Sequence, residues 1–133
     1  MFKVTKVIDF CYGHRLLNYE GKCRYLHGHN ARAEVELSSA TLDRRGMVTD
    51  FNEMKEKLQG WINSSIDHKL LLNKEDPIIP QLTALKEPFV PIEGNPTAET
   101  IAKIIYDQAK AQRFPVTLVR LWETPSSFAT YHE

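Results

Sequence analysis

The chain has 133 residues, the size of one ordinary domain, and its 17 basic residues are balanced by 17 acidic residues. Zero net charge argues against nucleic acid or an anionic membrane as a partner, and it does little to keep copies of the chain apart. No apolar run approaches the roughly 20 residues that span a bilayer, and the N-terminus lacks the apolar core of a signal peptide. We therefore expect one cytoplasmic domain over residues 1–133, self-associating and binding neither nucleic acid nor membrane.

Two predicted strands come first in the chain. Residues 4–14 place apolar side chains and His14 on one face. Residues 27–37 alternate almost without exception, with His27 and His29 followed by apolar residues on one face and polar residues on the other. Period-two patterning of this kind favours antiparallel strands with one buried face. The two histidines therefore lie on the core-facing side, where the second strand meets a loop.

Two helices follow. Asp50 is a good N-cap for a helix predicted over residues 51–65, whose apolar residues recur at helical spacing. Residues 76–94 contain four prolines and are predicted to be mostly irregular. The run Asn95-Pro96-Thr97 supplies capping residues and an early proline for a second helix that ends near Gln112.

Two more strands, over residues 116–124 and 128–131, complete the order β-β-α-α-β-β. This order predicts an α+β domain, a four-stranded antiparallel sheet with two helices on one face. The other face of the second strand is polar, with Arg32, Glu34 and Glu36. Several copies that close into a barrel with a polar interior would cover the free edges of such a sheet and solvate this face.

Three histidines form a candidate metal site. Residues i and i+2 of a strand point to the same side, so His27 and His29 would present two imidazoles to one spot. His14 lies on the core-facing side at the same end of the neighbouring strand. Three histidines with one open coordination position are typical of catalytic zinc.

A closed structural zinc site is the main alternative, because Cys11-x2-His14 with Cys23-x3-His27 resembles a Cys2His2 set. Cys11 has the opposite strand parity to His14, however, and would point away from it. A closed site would also leave His29 without a role. The open site is therefore the favoured interpretation.

Cys23 and the pair Asp67-His68 are candidates for proton transfer. Cys23 is either a small loop residue or a thiol whose neighbours, Lys22 and Arg24, favour the thiolate. Asp67 and His68 follow the first helix and could simply form a turn. Beside Cys23, they would complete a Cys/Asp/His proton relay, although the sequence does not show that proximity.

Glu123 ends the third predicted strand. A surface position is the ordinary interpretation of such a glutamate. A carboxylate at a strand end can instead accept paired hydrogen bonds from an aminopyrimidine edge, and charge-assisted pairs of this kind are strong and specific.

These motifs together resemble the 6-pyruvoyl-tetrahydropterin synthase / 6-carboxy-tetrahydropterin synthase family over nearly the whole chain. The resemblance rests on Phe10-x3-His14, Cys23-x3-His27-Gly28-His29-Asn30, Gly46-Met47-Val48-x-Asp50-Phe51, Asp67-His68, Leu72-Asn73, Asn95-Pro96-Thr97-x-Glu99 and Glu123-Thr124.

The resemblance implies the tunnelling fold, in which subunits form barrels that stack into a homohexamer, a dimer of trimers. It implies a pterin substrate, 7,8-dihydroneopterin triphosphate, and active sites shared between subunits. It also implies a role for each motif residue: zinc (Zn2+) ligands His14, His27 and His29, proton-transfer residues Cys23, Asp67 and His68, and pterin anchors Glu123 and Thr97.

The three-residue interval between Cys23 and His27 resembles the bacterial 6-carboxy-tetrahydropterin synthases, lyases that make a queuosine precursor. A pyruvoyl-forming enzyme and a non-catalytic zinc scaffold that binds pterin are the alternatives. Two features depart from the family pattern: the run Cys11-Tyr12-Gly13 replaces small residues, and Ala31 stands where an aromatic residue is common. Arg15, Lys22 and Arg24 are basic candidates for the triphosphate.

Overall fold

Six strands and three helices make up the fold, described over all 133 residues by a computed structural model. The strands are β1 (Phe2–His14), β2 (His27–Ser39), β3 (Lys69–Asn73), β4 (Phe89–Ile92), β5 (Val116–Thr124) and β6 (Ser127–Tyr131). The helices are α1 (residues 51–65), α2 (Ile79–Leu85) and α3 (Ala98–Ala111), and a short 3-10 turn covers Lys22–Arg24. None of the helices has the length and apolar composition needed to cross a membrane.

All six strands belong to one sheet in the order β4-β3-β1-β2-β5-β6. The four predicted strands, β1, β2, β5 and β6, are antiparallel neighbours, which confirms the α+β class. The prediction of a purely four-stranded antiparallel sheet was incomplete, because β3 and β4 add two parallel strands beside β1. The sheet is therefore six-stranded and mixed.

The prediction that residues 76–94 are irregular was wrong for helix α2 and strand β4. Strand β3 carries Leu70, Leu71 and Leu72 in an unbroken apolar run, which is typical of a parallel strand covered on both faces and gives no alternation. Two parallel strands that are neighbours in a sheet need a long crossover connection, and α2 lies within the connection from β3 to β4. Pro91 is tolerated in β4 because this strand forms an edge of the sheet.

Both predicted helices are confirmed, with cap residues at their N-termini. The Asp50 side chain accepts a hydrogen bond from the N–H of Asn52 at 2.8 Å. A π-helical turn, Lys55–Gln59, lies within α1, and the helix continues through Gly60. The Thr97 hydroxyl accepts a hydrogen bond from the N–H of Thr100 at 3.2 Å and so caps α3.

Helices α1 and α3 pack on one face of the sheet and form the core with it. The core contains 20 buried apolar residues from these helices, the loops that follow them, and strands β1, β2, β3 and β5. The opposite sheet face carries ion pairs instead, such as Asp9 with Arg32 at 2.9 Å and Glu34 with Arg120 at 3.2 Å. One chain leaves this polar face open, and the histidines lie at one end of the covered face.

Candidate metal centre and active site

The antiparallel register of β1 and β2 brings the three histidines together. His14 lies directly opposite His27. His29 lies opposite Tyr12, two residues further along β2, so its side chain is on the same face as that of His27. The ring centroids of His14 and His27 are 4.5 Å apart, and each lies 5.1 Å from the ring of His29. One ring nitrogen from each histidine lies within 4.8 Å of the other two, so the group can hold a metal ion.

Hydrogen bonds to backbone carbonyls orient two of the rings. The Nδ1–H of His14 donates to the carbonyl of Pro96 at 2.6 Å, and that of His27 donates to the carbonyl of Tyr25 at 2.7 Å. Donation from Nδ1 leaves the Nε2 lone pair of each ring free for a metal and fixes the ring orientation. The loops before β2 and before α3 therefore supply the outer support of the site.

The spacing of the Nε2 atoms fits a small tetrahedral cation. The Nε2 atoms of His14 and His29 are 3.2 Å apart, a contact that needs one proton or one cation between the two nitrogens. Two nitrogens bound to one tetrahedral zinc ion at the usual bond length are about 3.3 Å apart. The donor set and its spacing thus suit zinc.

The electrostatics of His14 keep the imidazole neutral. Burial lowers the pKa of His14, and the neighbouring rings of His27 and His29 lower it further, whereas the Pro96 carbonyl and Glu123 oppose this change. A neutral imidazole is the form that binds a metal ion. His14 therefore does not need to lose a proton before it can act as a ligand near neutral pH.

Cys23, Thr97 and Glu123 line one cavity together with His14. The cavity lies between the 3-10 turn, the start of α3 and the hairpin of β5 and β6. The structure thus brings a thiol, a hydroxyl and a carboxylate next to His14 of the cluster, and their roles stay predictions. The Thr97 hydroxyl already caps α3, so that residue has a structural role as well.

Tyr12 connects Glu123 to the histidine cluster, and the sequence interpretation gave this residue no role. The phenol donates to Oε1 of Glu123 at 3.0 Å, and the same oxygen lies 3.9 Å from Nε2 of His14. Burial raises the pKa of Tyr12, and the negative charge of Glu123 raises it further. The sequence does contain one indication of such a contact. Tyr12 falls on the buried face of β1, and a buried hydroxyl needs a hydrogen-bond partner.

Asp67 and His68 lie on the opposite side of β1, beside Cys11. Oδ1 of Asp67 accepts the N–H of Cys11 at 2.9 Å, and Oδ2 accepts Nδ1–H of His68 at 2.8 Å. Burial alone would raise the pKa of Asp67, but the Cys11 N–H and His68 outweigh that effect and lower it. His68 has a left-handed backbone (φ 61°), and its side chain is 79% exposed.

The structure therefore separates the predicted relay within one chain. Asp67 and His68 form a group with Cys11, whereas Cys23 lines the cavity beside His14. Both cysteines are free, and Cys11 faces away from His14 as strand parity predicts. A relay of Cys23, Asp67 and His68 stays a prediction that requires a second copy of the chain.

Arg15 does not present a free charge for a triphosphate. Its guanidinium makes two hydrogen bonds to the fully buried carboxylate of Asp76, with Nε donating to Oδ2 at 2.7 Å. Arg24 donates to the carbonyl of Glu20 and to the hydroxyl of Tyr25. Of the three basic candidates, Arg15 is thus structural.

Comparison with known proteins places the chain in a family. The family model described as 6-pyruvoyl tetrahydropterin synthase matches residues 3–133. The chain belongs to the 6-pyruvoyl tetrahydropterin synthase family. A relative named 6-carboxy-5,6,7,8-tetrahydropterin synthase from Rickettsia bellii is 36% identical over 96% of this chain and 98% of its own length. One of the same name from Haemophilus influenzae is 33% identical over the full length of both.

Among solved structures, an uncharacterized protein from Wolinella succinogenes superposes with a TM-score of 0.82 and is 28% identical. The match covers 99% of this chain and 98% of that protein. The solved structure of Caenorhabditis elegans 6-pyruvoyl tetrahydropterin synthase is 22% identical over 99% of this chain and 95% of that one, and it superposes with a TM-score of 0.74. The six-stranded sheet with its helices is therefore the fold of this family, and the family model confirms the resemblance drawn from the motifs.

Proposed function

We propose that this family member is a zinc-dependent 6-carboxy-5,6,7,8-tetrahydropterin synthase. It would convert 7,8-dihydroneopterin triphosphate and one water to 6-carboxy-5,6,7,8-tetrahydropterin, acetaldehyde and triphosphate. Relatives of that name, at 33–36% identity over nearly the whole chain, support the choice of reaction. The product would feed synthesis of a 7-deazaguanine such as the queuosine precursor. A triphosphate does not cross membranes, so we place the reaction in the cytoplasm.

One observation carries the proposal: ring nitrogens of three histidines lie within 4.8 Å of one another, next to a cavity lined by Cys23, Thr97 and Glu123. A bound zinc ion would act as a Lewis acid on the hydroxyls of the substrate side chain and acidify the adjacent C–H bonds. His14, His27 and His29 would be its ligands, which leaves one coordination position for substrate.

The remaining residues of the cavity have separate roles. Cys23 would carry the proton between the carbons of the substrate side chain, since a thiolate is a suitable general base for an acidified C–H bond. Glu123 would accept two hydrogen bonds from the amino and ring N–H groups of the pterin. Thr97, at the N-terminus of α3, would add a polar contact to the pterin.

A neighbouring subunit would supply Asp67 and His68. The Asp67 carboxylate holds Nδ1 of His68, so Nε2 of this exposed ring is free to take part in proton transfer outside its own chain. The polar sheet face would line the interior of a barrel, and two trimeric barrels would form the hexamer expected for the family. Each active site would then draw Cys23 from one chain and His68 from another.

Product identification tests the proposal. Purified protein with zinc is incubated with 7,8-dihydroneopterin triphosphate, and the products are identified by mass spectrometry. We expect 6-carboxy-5,6,7,8-tetrahydropterin from the native protein and none from Cys23→Ala, which should still bind zinc. No turnover by the zinc-loaded native protein would favour a non-catalytic pterin-binding scaffold.

A pyruvoyl-forming activity is the second candidate, because the matching family model has the name 6-pyruvoyl tetrahydropterin synthase. Both reactions would use the same histidines and the same thiol, so the site geometry does not separate them. The same assay does, since 6-pyruvoyl-tetrahydropterin retains all the carbons of the substrate and yields no acetaldehyde.

A further inference from the structure

Tyr12 occupies a position that the proposed chemistry leaves without a role. It is 3% exposed and lies on the core-facing side of β1, two residues before His14. Its ring packs edge-on against the ring of His14, with centroids 5.1 Å apart, and lies 5.7 Å from the ring of His29. A bulky aromatic residue therefore packs beside two of the three histidines of the cluster.

The phenol of Tyr12 has Glu123 as its hydrogen-bond partner. The O–H donates to Oε1 of Glu123 at 3.0 Å, and a charged acceptor makes this a strong hydrogen bond. Glu123 extends from β5 and is about three-quarters buried at its side chain, which also lines the cavity of Cys23 and Thr97. Tyr12 itself does not line this cavity, so the hydrogen bond holds the carboxylate from outside the cavity.

Glu123 is close enough to the histidines to compete for a metal ion. Its Oε1 atom lies 3.9 Å from Nε2 of His14, and carboxylates are ordinary zinc ligands. A carboxylate that joined three histidines on one ion would fill the fourth position and convert an open site to a closed one. It would also no longer be available to bind a ligand in the cavity.

We infer that Tyr12 is a positioning residue that holds the Glu123 carboxylate towards the cavity and away from the open coordination position of the metal centre. The role towards the metal depends only on the histidine cluster. The role towards pterin rests on the proposed function. The alternative is that Tyr12 only fills the core. Its buried hydroxyl would then still need a hydrogen-bond acceptor, but removing the hydroxyl would change neither metal binding nor ligand binding.

Tyr106 provides a matched control. It is also 3% exposed, and its hydroxyl donates to the carbonyl of Val116 at 3.4 Å, in a part of the core between α3 and β5. Tyr106→Phe removes a buried phenol hydroxyl in the same way as Tyr12→Phe. Only Tyr12→Phe releases the Glu123 carboxylate.

The first experiment measures access to the metal. The full-length protein is loaded with Co2+, and azide is titrated while the visible absorption bands are followed. We expect Tyr12→Phe to weaken azide binding about tenfold or more, the scale of one charge-assisted hydrogen bond, because the freed carboxylate occupies the open position. Tyr106→Phe should match the native protein. Tyr12→Phe combined with Glu123→Gln should restore azide binding, since an amide is a poor ligand.

The second experiment measures binding of neopterin by fluorescence in chelator-treated, metal-free protein. Tyr12→Phe should weaken this binding about tenfold, but it should cause no further loss in a Glu123→Gln background, because both changes act through one carboxylate. Unchanged azide and neopterin affinities in Tyr12→Phe, with only a lower melting temperature, would overturn the inference. If native protein binds no neopterin, the proposed function is in doubt, and the azide titration alone decides the role of Tyr12 towards the metal.

Discussion

At the scale of single residues, the histidine cluster depends on groups that hold the imidazoles as well as on the imidazoles themselves. The carbonyls of Pro96 and Tyr25 fix the rings of His14 and His27 through Nδ1. Strand parity in the sequence predicted that the three histidines share a face. It could not predict these carbonyl partners, because both come from loops whose paths depend on the tertiary fold.

Removing one histidine should weaken metal binding. We expect His27→Ala to weaken zinc binding at least 10- to 100-fold, since it leaves two protein ligands. Zinc content after dialysis, measured by inductively coupled plasma mass spectrometry, checks this outcome. His132→Ala is the control, because His132 is exposed near the C-terminus and lies outside the cluster. Equal zinc content in both variants would rule out His27 as a ligand.

The buried pair of Asp76 and Arg15 should make stability depend on pH. The hydrogen bond from Arg15 lowers the pKa of Asp76, although burial opposes the change. A carboxyl group whose pKa is lower in the folded state stabilises the fold above its unfolded pKa of about 3.9, and this contribution is lost as pH falls through the folded pKa. Asp76→Asn should therefore lower the free energy of unfolding by about 2 kcal/mol at pH 7 and by progressively less below about pH 4.

Urea unfolding of native protein and Asp76→Asn across this pH range provides the measurement. Asp107→Asn serves as the control, because Asp107 and Lys103 form an exposed pair that we expect to contribute nothing measurable. A difference between native and Asp76→Asn protein that stayed constant from pH 7 to pH 3 would contradict the assignment.

At the scale of elements, the two strands that carry the histidine cluster were predictable, whereas β3 and β4 were not. Alternating residues in β1 and β2 fix which side chains share a face, so the positions of His14 and Cys11 on opposite faces follow from sequence. Strand β3 shows no alternation, and its pairing with β1 joins residues far apart in the chain. The place of Asp67 and His68 depends on that parallel pairing, which local patterns do not encode.

The glycine between the two histidines of β2 allows a close approach of β1. A Cβ atom on Gly28 would lie 3.1 Å from the carbonyl oxygen of Tyr12, so Gly28→Ala must push the two strands apart by a few tenths of an ångström. We expect a folded protein with zinc affinity about tenfold lower, because this shift separates His14 from its partners on β2. Competition with a chromogenic chelator measures the affinity.

Gly60→Ala makes the same chemical change at a site where a Cβ atom meets nothing within 4 Å. It should leave zinc affinity unchanged and stabilise α1, since alanine is a better helix former than glycine by about 1 kcal/mol. If Gly28→Ala bound zinc as tightly as the native protein, the spacing of β1 and β2 at this point would not determine the zinc affinity.

At the scale of the whole molecule, one chain holds the residues of the proposed proton relay apart. Cys23 lies beside His14, whereas Asp67 and His68 lie beside Cys11. The exposed His68 and the open polar face of the sheet both suit contact with further copies of the chain. A barrel of subunits would bring Cys23 of one chain to Asp67 and His68 of the next. The sequence contains all the residues of the proposed relay, but under this proposal only assembly would join them.

Mixed oligomers should therefore regain activity that neither parent variant has. Cys23→Ala and His68→Ala are co-expressed in equal amounts with different tags, and oligomers that carry both tags are purified. Random mixing leaves about a quarter of the shared sites with both native residues, so we expect about a quarter of native activity. Inactive mixed oligomers that still bind zinc would argue against a shared site.

Release of acetaldehyde tests most directly the claim that the histidine cluster holds a zinc ion used for pterin chemistry. Native protein, first stripped by a chelator and then reloaded with one zinc ion per chain, is given 7,8-dihydroneopterin triphosphate. We predict no acetaldehyde from the stripped protein, and equal amounts of acetaldehyde and 6-carboxy-5,6,7,8-tetrahydropterin from the reloaded protein. Acetaldehyde formed at the same rate without metal, or none formed with zinc bound to the three histidines, would contradict the claim.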